Sequence, residues 1–263
     1  MNAIRRVRAL ALACAGLLAL SAHAQTGGFT SEAALRALFE TEGDSPFPPS
    51  STAPYAGTLS FSALGSRFAS ANGHGYRNEL KIAAAQRRPI GRTREHFSAV
   101  VTPMLPDGAR TIVAQYHVEG LDTILKVYVQ DTLDARLLDG RSRNGIFDVV
   151  VKMPGGDGRE ATTALGTVRA GDSFGLDIRF EDGDATVAVT SGSGGAVRTA
   201  RSHIADDART VYFKFGDYLQ ALDPESGTHT TSPARWDAYF GRNGIDSSRV
   251  QFSHTEFVRD QEG

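Results

Sequence analysis

Residues 211–220 read VYFKFGDYLQ and alternate between two kinds of side chain. Successive side chains of an extended strand point to opposite faces of a sheet, so Phe213 and Phe215 share one face. The other face carries the polar members of the stretch: Tyr212, Lys214, Tyr218 and Gln220. The apolar face requires a hydrophobic core. The polar face suits an acidic ligand, because an ammonium and an amide can hold a carboxylate and a phenol can transfer a proton.

The same alternation recurs along most of the chain. The segments predicted as strands are 58–64, 76–84, 96–104, 111–118, 123–130, 146–152, 174–180, 185–190, 211–215 and 249–258. Turn signals rich in glycine, aspartate and proline separate these segments. Many short strands at this spacing predict an all-β fold in which antiparallel sheets stack as a sandwich or close as a barrel.

Several of these strands place polar side chains on one face. Those that share a face within their strand are Arg77, Glu79 and Lys81, then Gln115 and His117, then Lys126, Tyr128 and Gln130. Aligned in one sheet, these strands would form a polar surface above a solid apolar layer. A curved sheet with such a concave face is a groove for a polar chain.

Residues 1–24 have the pattern of a secretory signal peptide. Three arginines precede an apolar run from Leu10 to Leu20, and the small-x-small sequence at residues 22–24 is typical of a cleavage site. The run is too short to span a bilayer. We therefore predict that residues 1–24 are removed and that the protein is secreted or periplasmic. The one cysteine, Cys14, lies in this segment, so the mature chain would lack disulfides and thiol chemistry.

Residues 25–57 are predicted to be an N-terminal segment apart from the main domain, residues 58–263. Ala34, Leu35, Leu38 and Phe39 recur at helical spacing, which predicts one short helix over residues 30–42. Four prolines among serines follow in residues 43–56, where neither a helix nor a central strand tolerates them. This stretch is predicted to be a linker or a surface wrap.

The charge balance argues against some classes of partner. The chain has 28 basic and 30 acidic residues, a formal net charge of −2. Removal of residues 1–24 takes away three arginines, leaving 25 basic against 30 acidic residues and a charge of −5. A net acidic chain is not expected to bind nucleic acid by bulk charge, so any cationic site must be local. No stretch after residue 24 is predicted to cross a membrane, and a monomer is the default expectation.

Three segments, in this order, resemble motifs of the alginate lyases of polysaccharide lyase family 7. Residues 77–81, RNELK, resemble the family's Arg-(Ser/Thr)-Glu-Leu-Arg, and residues 115–117, QYH, resemble its Gln-(Ile/Val)-His. Residues 212–220, YFKFGDYLQ, resemble its Tyr-Phe-Lys-Ala-Gly-x-Tyr-x-Gln. Residues 250–258 are similar to the family's last strand. The resemblance implies a jelly-roll β-sandwich of two antiparallel sheets, in agreement with the strand pattern.

The chain departs from these motifs at four positions. They are Asn78 for Ser or Thr, Lys81 for Arg, Tyr116 for Ile or Val, and Phe215 for Ala. By alternation Tyr116 points to the core, away from Gln115 and His117. Because the middle residue of that triplet correlates with guluronate or mannuronate preference in the family, this guide to the substrate is lost. Phe215 requires repacking of the core beneath the motif.

The residue types of these motifs suit β-elimination on a 4-linked polyuronate. This reaction removes the proton at C5, next to a carboxylate, and expels the sugar oxygen at C4. The site must neutralise that carboxylate, because proton removal builds a second negative charge beside it. Arg77 and Gln115 can do so, since both donate hydrogen bonds with fixed geometry. His117 can act as a base near neutral pH, and Tyr218 can protonate the leaving oxygen.

The resemblance implies the same four catalytic residues, with Tyr218 as acid and also as base for one epimer, and His117 as base for the other. The remaining substrate-binding candidates are Lys81, Lys214, Tyr212, Gln220, Lys126 and Tyr128. Glu79 is predicted to orient Arg77. No cofactor is expected and no metal is required, because the histidines, aspartates and cysteine show no metal-ligand spacing.

Other functions remain open at this point. Alginate is the leading substrate, but another polyuronate such as glucuronan offers the same C5 chemistry. A non-catalytic jelly-roll carbohydrate-binding protein would need a groove without an acid and a base. A jelly-roll glycoside hydrolase would need two carboxylates across the scissile bond. Its common Glu-x-Asp-x-x-Glu pattern is absent from this sequence.

Overall fold

The structure is a computed structural model that describes residues 28–51, 54–120, 123–132, 138–191, 195–206 and 208–260. The predicted signal peptide, residues 1–24, lies outside these residues. Within the described ranges, no helix combines the length and the apolar character needed to cross a membrane.

The described residues form three α-helices and fourteen strands. The helices are α1 (Glu32–Leu38), α2 (Ala63–Ser66) and α3 (Pro233–Arg242). The strands are β1 (Phe39–Glu42), β2 (Leu59–Phe61), β3 (Arg77–Ile82), β4 (Arg88–Pro89), β5 (Arg94–Met104), β6 (Arg110–Val118), β7 (Thr123–Gln130), β8 (Ile146–Pro154), β9 (Glu160–Arg169), β10 (Phe174–Glu181), β11 (Asp184–Ser191), β12 (Ala196–His203), β13 (Thr210–Leu219) and β14 (Arg249–Arg259).

The strands pair into two antiparallel sheets. The eight-stranded sheet has the order β1-β3-β13-β6-β7-β8-β9, and β4 pairs with one end of β13. The six-stranded sheet has the order β12-β11-β10-β5-β14-β2. The strand that carries most of the YFKFGDYLQ motif, β13, therefore lies well inside the larger sheet, between the strands that carry the other two motifs. The predicted all-β class with two antiparallel sheets is confirmed.

The apolar face of β13 packs against the six-stranded sheet. Phe213 and Phe215 are fully buried, and their ring centroids lie 5.0 Å and 4.8 Å from that of Phe97 on β5. Phe215 also contacts Phe39 and Phe252, with centroids 5.5 Å and 5.3 Å away. These aromatic neighbours surround the side chain that stands where the resembling motif has alanine, and the core is built around the larger ring.

Tyr116, the other large departure from the motifs, is also buried. Its ring stacks on Phe180 at 4.7 Å, and its hydroxyl donates a 2.9 Å hydrogen bond to Glu95. The prediction that this side chain points to the core is therefore confirmed, and its hydroxyl is satisfied there.

The N-terminal helix is shorter than predicted. Residues 30–42 were expected to form one helix, but α1 ends at Leu38 and β1 follows at once. β1 pairs with β3 along its whole length, and Phe39 packs against Phe257 at 5.0 Å. Tertiary contacts therefore override the helical spacing of Phe39. A segment expected to stand apart from the sheets supplies an edge strand of the larger one.

The strands missed by the sequence are mostly edge strands. Each of the ten predicted strands overlaps an observed one, whereas β1, β4, β9 and β12 were not predicted. At the start of β12, residues 196–199 are all exposed, so they carry no apolar and polar alternation. The helix α3 was also missed, although Pro233 in its first turn and the buried Trp236 and Phe240 are a helical signal.

Candidate active site

Two rows of side chains cross the larger sheet on the face opposite the core. We define the cationic row as the directly paired residues Lys81, Lys214, Gln115, Lys126 and Lys152. We define the aromatic row as Arg77, Tyr218, Ile112, Tyr128 and Val150, which are paired in the same way. Because neighbouring strands lie about 4.8 Å apart, each row extends over about 19 Å. The rows cross the strands β3, β13, β6, β7 and β8.

The four predicted catalytic residues lie together on this face. The guanidinium carbon of Arg77 is 3.8 Å from the ring centroid of Tyr218. Gln115 donates a 2.6 Å hydrogen bond to Glu79, whose other oxygen lies 3.5 Å from an Nη of Arg77. The Gln115 carbonyl oxygen is 3.0 Å from Nε2 of His117. These contacts connect residues from three distant segments into one network.

Glu79 lies at the centre of this network and has no exposed surface. Burial raises the pKa of Glu79, an effect that the charges of Lys214 and Arg77 oppose. Its two oxygens contact Gln115 and Arg77, so it holds an amide and a guanidinium at fixed positions. This geometry agrees with the expectation that Glu79 orients Arg77.

Tyr218 owes its position to an irregularity in β13. The register between β13 and β6 shifts between Phe215 and Tyr218, which marks a β-bulge. Gly216 within this bulge has a φ of +151°, and a Cβ there would lie 2.3 Å from the carbonyl oxygen of Asn78 on β3. Only glycine permits this close approach. The glycine of the motif therefore brings Arg77 and Tyr218 onto neighbouring strands in direct register.

The hydroxyl of Tyr218 is fixed by the main chain. It accepts a 2.7 Å hydrogen bond from the backbone N–H of His74. Since the phenol receives this bond, its own proton remains available for transfer to another group. The same N–H would stabilise a phenolate.

His117 lies at one end of the site. Its ring stacks on Tyr212 with centroids 5.4 Å apart and an angle of 9° between the planes. The hydroxyl of Thr123 lies 3.0 Å from Nε2 of the same imidazole. Tyr212 is packed in turn against the guanidinium of Arg87 at 4.1 Å. The imidazole is therefore held by stacking on Tyr212 and by polar contacts with Gln115 and Thr123.

Glu42, on the unpredicted strand β1, is a carboxylate that three cations of the site share. It accepts 2.8 Å hydrogen bonds from Lys81 and Lys214, and it lies 3.5 Å from Arg77. Burial alone would raise the pKa of Glu42, but Lys214, Lys81 and Arg77 outweigh this effect and lower the pKa to about 2. Glu42 thus remains ionised and compensates three cations. The alternating FETE pattern of residues 39–42 could have indicated it.

The other predicted binding residues share the same face. Lys126 and Lys152 both contact Glu160, at 2.9 Å and 3.4 Å. Tyr128 packs with Tyr218 in a small apolar cluster that also includes Ile112 and Val150. Gln220 directly follows β13 and donates from its backbone N–H to Arg110. All ten predicted site residues therefore lie on this face of the sheet, although their roles stay predictions.

This fold and this site define a class of protein: a jelly roll whose larger sheet carries cations, an imidazole and a phenol together on one face. A family model described as alginate lyase matches residues 44–257. The chain therefore belongs to the alginate lyase family, and it is a polysaccharide lyase. The predicted family and enzyme class are confirmed.

Solved structures agree with this assignment. The alginate lyase from Alteromonas sp. 272 is 33% identical, with a TM-score of 0.76 over 86% of this chain and 96% of that one. The polysaccharide lyase family 18 protein aly-SJ02 is also 33% identical, with a TM-score of 0.75 over the same shares. The alginate lyase from Klebsiella pneumoniae, 14% identical with a TM-score of 0.53 over 78% of this chain and 82% of that one, shares the fold. A comparison with curated proteins found no match.

Proposed function

We propose that the protein cleaves alginate by β-elimination and leaves an unsaturated uronate at the new chain end. The observation that carries this proposal is the convergence of Arg77, Gln115, His117 and Tyr218 in one contact network on one face of the sheet. A binding protein would need the cations of this face but not a fixed phenol and imidazole beside them. The similarity to the alginate lyase from Alteromonas sp. 272, at 33% identity, supports alginate as the polymer.

The first task of the site is to neutralise the carboxylate next to C5. Arg77 is suited to it, since its Nε is buried and has no hydrogen-bond partner in the part of the chain that the structure describes. Its Nη1 lies 3.5 Å from both Glu42 and Glu79, which orient the guanidinium. Gln115 uses one amide proton on Glu79 and has a second one to donate. In the proposed mechanism, these two residues therefore donate to the carboxylate on which negative charge increases in the transition state.

The proton at C5 then passes to a base, the C–H electrons form the double bond between C4 and C5, and the bond from C4 to the leaving oxygen breaks. Tyr218 protonates that oxygen. When the C5 hydrogen faces Tyr218, the phenolate form of the same residue takes it first, stabilised by the His74 N–H and by the guanidinium of Arg77. His117 takes the proton for the opposite epimer.

We also propose that the protein acts outside the cytoplasm, with residues 1–24 as a removed signal peptide. The support is the sequence pattern of these residues. A polymer of uronates is too large to enter a cell unaided, so an enzyme that shortens it is best placed on the outer side of the membrane. Sequencing the N-terminus of the exported protein would test this, and a mature chain beginning at Gln25 is expected.

The function is tested by incubating the purified protein separately with polymannuronate, polyguluronate and glucuronan. We expect ultraviolet absorbance of an unsaturated uronate to rise with at least one of the two alginate polymers. A rise with glucuronan alone would assign another polyuronate. Binding without any product would indicate a carbohydrate-binding protein, and saturated products would indicate a hydrolase.

A further inference from the structure

Asp217 is a buried carboxylate that takes no part in the proposed chemistry. It lies on β13 between Gly216 of the bulge and Tyr218, and it has no exposed surface. By alternation its side chain points away from the face that carries Tyr218. A carboxylate is costly to remove from water unless hydrogen-bond donors surround it, so the partners of Asp217 indicate what it does.

Three neutral donors hold this carboxylate. The hydroxyl of Thr111 on β6 donates a 2.6 Å hydrogen bond to Oδ1, and the backbone N–H of Ala63 donates a 2.8 Å hydrogen bond to Oδ2. The side chain of Ser248 makes a further hydrogen bond. Burial raises the pKa of Asp217, and these three bonds oppose that effect. The carboxylate is therefore fixed in direction by bonds that an apolar side chain could not make.

The donors belong to both layers of the sandwich. Ala63 begins α2, which follows β2, and Ser248 directly precedes β14. The strands β2 and β14 pair with each other in the six-stranded sheet. Ser248 also accepts a 3.1 Å hydrogen bond from the backbone N–H of Leu64, so Asp217 and Ser248 together satisfy the first two N–H groups of α2. Asp217 therefore connects the strand of Tyr218 to β6 in its own sheet and to two elements of the other layer.

The bond from Thr111 lies where the backbone pairing of β13 with β6 is irregular. Between the pairs made by Phe215 and Tyr218, three steps along β13 face two steps along β6. Asp217 lies in this longer segment, and Thr111 lies just beyond it, opposite Leu219. A bulge leaves its extra residue outside the ladder, so the conformation there must be fixed in another way. The hydrogen bond from Thr111 to Asp217 does so across the same two strands.

The conformation at Asp217 affects where the ring of Tyr218 lies, because one planar peptide unit joins the two residues. The phenol oxygen is 2.7 Å from the backbone nitrogen of His74, and the ring centroid is 3.8 Å from the guanidinium carbon of Arg77. A ring displaced by about 1 Å would lose the hydrogen bond to His74, and a reacting group misplaced by that distance can cost about 100-fold in rate.

We propose that Asp217 is a positioning residue for Tyr218. Its three hydrogen bonds fix the bulge of β13, and the bulge holds the phenol against the His74 N–H. Asp217 touches no substrate and acts only through Tyr218. The proposal rests on the lyase function proposed above, because Tyr218 is the acid of that reaction.

The kinetic test is a double-mutant cycle on alginate that combines Asp217→Ala with Tyr218→Phe. Asp217→Ala alone should lower kcat about 10- to 100-fold and leave KM unchanged, because it displaces the acid without altering the binding face. In the Tyr218→Phe background the same substitution should have little further effect, because no phenolic proton remains to be positioned. Asp131→Ala is the matched control and should keep the wild-type kcat. Asp131 is 1% exposed and accepts three backbone hydrogen bonds, but it is not adjacent to a catalytic candidate.

Two milder variants decide the question if thermal unfolding shows that Asp217→Ala does not fold. Asp217→Asn keeps the shape and one acceptor oxygen, and its amide can donate to a hydroxyl, so this variant should retain most of the turnover. Thr111→Val removes only the hydroxyl that connects β6 to the bulge. It should lower kcat about 10-fold without changing KM, by a smaller displacement of the same ring. A folded Thr111→Val protein with the full kcat would contradict the positioning role.

A measurement without substrate separates this proposal from the proposed function. Hydrogen exchange of the His74 amide, followed by NMR, reports its bond to the Tyr218 hydroxyl. Exchange should be faster in Asp217→Ala, as it should be in Tyr218→Phe. It should stay at the wild-type rate in Asp131→Ala.

A kcat of Asp217→Ala equal to that of Asp131→Ala would overturn the positioning role, and so would an equal loss with and without the Tyr218 hydroxyl. A higher KM at constant kcat would also overturn it, because that result would assign Asp217 to substrate binding. A wild type that forms no unsaturated product from any polyuronate would overturn the proposed function instead. The exchange rate of the His74 amide would then decide the positioning role alone, and an unchanged rate in Asp217→Ala would overturn it.

Discussion

The guanidinium of Arg77 lies 3.8 Å above the ring of Tyr218, and the two residues are directly opposite each other on β3 and β13. The same cation can therefore neutralise a substrate carboxylate and stabilise a phenolate. The arrangement depends on Gly216, because a Cβ at that position would collide with β3. In the proposed mechanism, acid–base chemistry and carboxylate recognition are combined in this single pair of side chains.

Glu42 is expected to stabilise the site more than any other carboxylate at its rim. Glu42→Gln would leave Lys81, Lys214 and Arg77 without their shared counter-charge. Breaking a buried ion pair in this way costs about 3–5 kcal/mol. Urea denaturation would measure the loss. Glu40→Gln is the matched control, because Glu40 contacts Lys81 but is 45% exposed, and an exposed pair contributes less than about 1 kcal/mol. Equal effects of the two substitutions would contradict this assignment.

The same carboxylate predicts a loss of stability in acid. Glu42 has a pKa of about 2 in the folded protein, against 4.5 for an unperturbed glutamate. A carboxyl with a lowered pKa stabilises the fold fully above its unfolded-state pKa, and this contribution disappears as pH falls through the folded-state value. The unfolding free energy should therefore decrease between about pH 5 and about pH 2. Glu42→Gln should flatten this part of the profile, and an unchanged slope in the variant would assign the acid sensitivity elsewhere.

Salt should weaken substrate binding. Arg77, Lys81 and Lys214 meet a polyanion in the proposed function, and ions screen such attractions over about 10 Å at 0.1 M. We expect KM to rise with sodium chloride concentration. The increase should be moderate, because Glu42 already compensates part of this charge. A KM that is independent of salt would argue against a cationic groove.

His117 is expected to affect one kind of uronate more than the other. If it is the base for one C5 epimer, His117→Gln should reduce turnover of one block polymer about 10²–10⁴-fold while Tyr218 still serves the other. Initial rates on polymannuronate and polyguluronate would measure the difference. Thr123→Val removes the hydroxyl contact of the imidazole and is the milder comparison. An equal loss on both polymers would indicate a general structural role for His117.

The sequence predicted the faces of the central strands well because a two-residue period assigns every side chain to a side. Phe213 and Phe215 reach the core, and the motif residues share the opposite face, as the alternation indicated. Tyr116 is in the core for the same reason. These assignments are local, and local patterns are what a single sequence contains.

Pairings between distant segments could not be predicted in this way. Glu42 reaches Lys214 across 172 positions of sequence, and the strand that carries it was mistaken for the end of a helix. Phe39 fits the helical spacing of Leu35 and Leu38, and only its contacts with β3 and the core make it extended. Likewise, the alternation placed Gln130 on the polar face, but its position opposite Arg110 depends on the pairing register of β6 and β7, which the sequence does not contain.

The most direct test of the central claim is the rate of unsaturated product formation by Tyr218→Phe. The variant should fold, because the ring and its contact with Arg77 remain. Its turnover on alginate should fall about 10²–10⁴-fold, since it lacks the proton for the leaving oxygen. Tyr55→Phe is the matched control, because the buried hydroxyl of Tyr55 has no hydrogen-bond partner in the described part of the chain. The ring of Tyr55 packs beside Phe29 and Phe47. This variant should retain full turnover. A folded Tyr218→Phe protein that forms unsaturated uronate as fast as Tyr55→Phe would contradict the account.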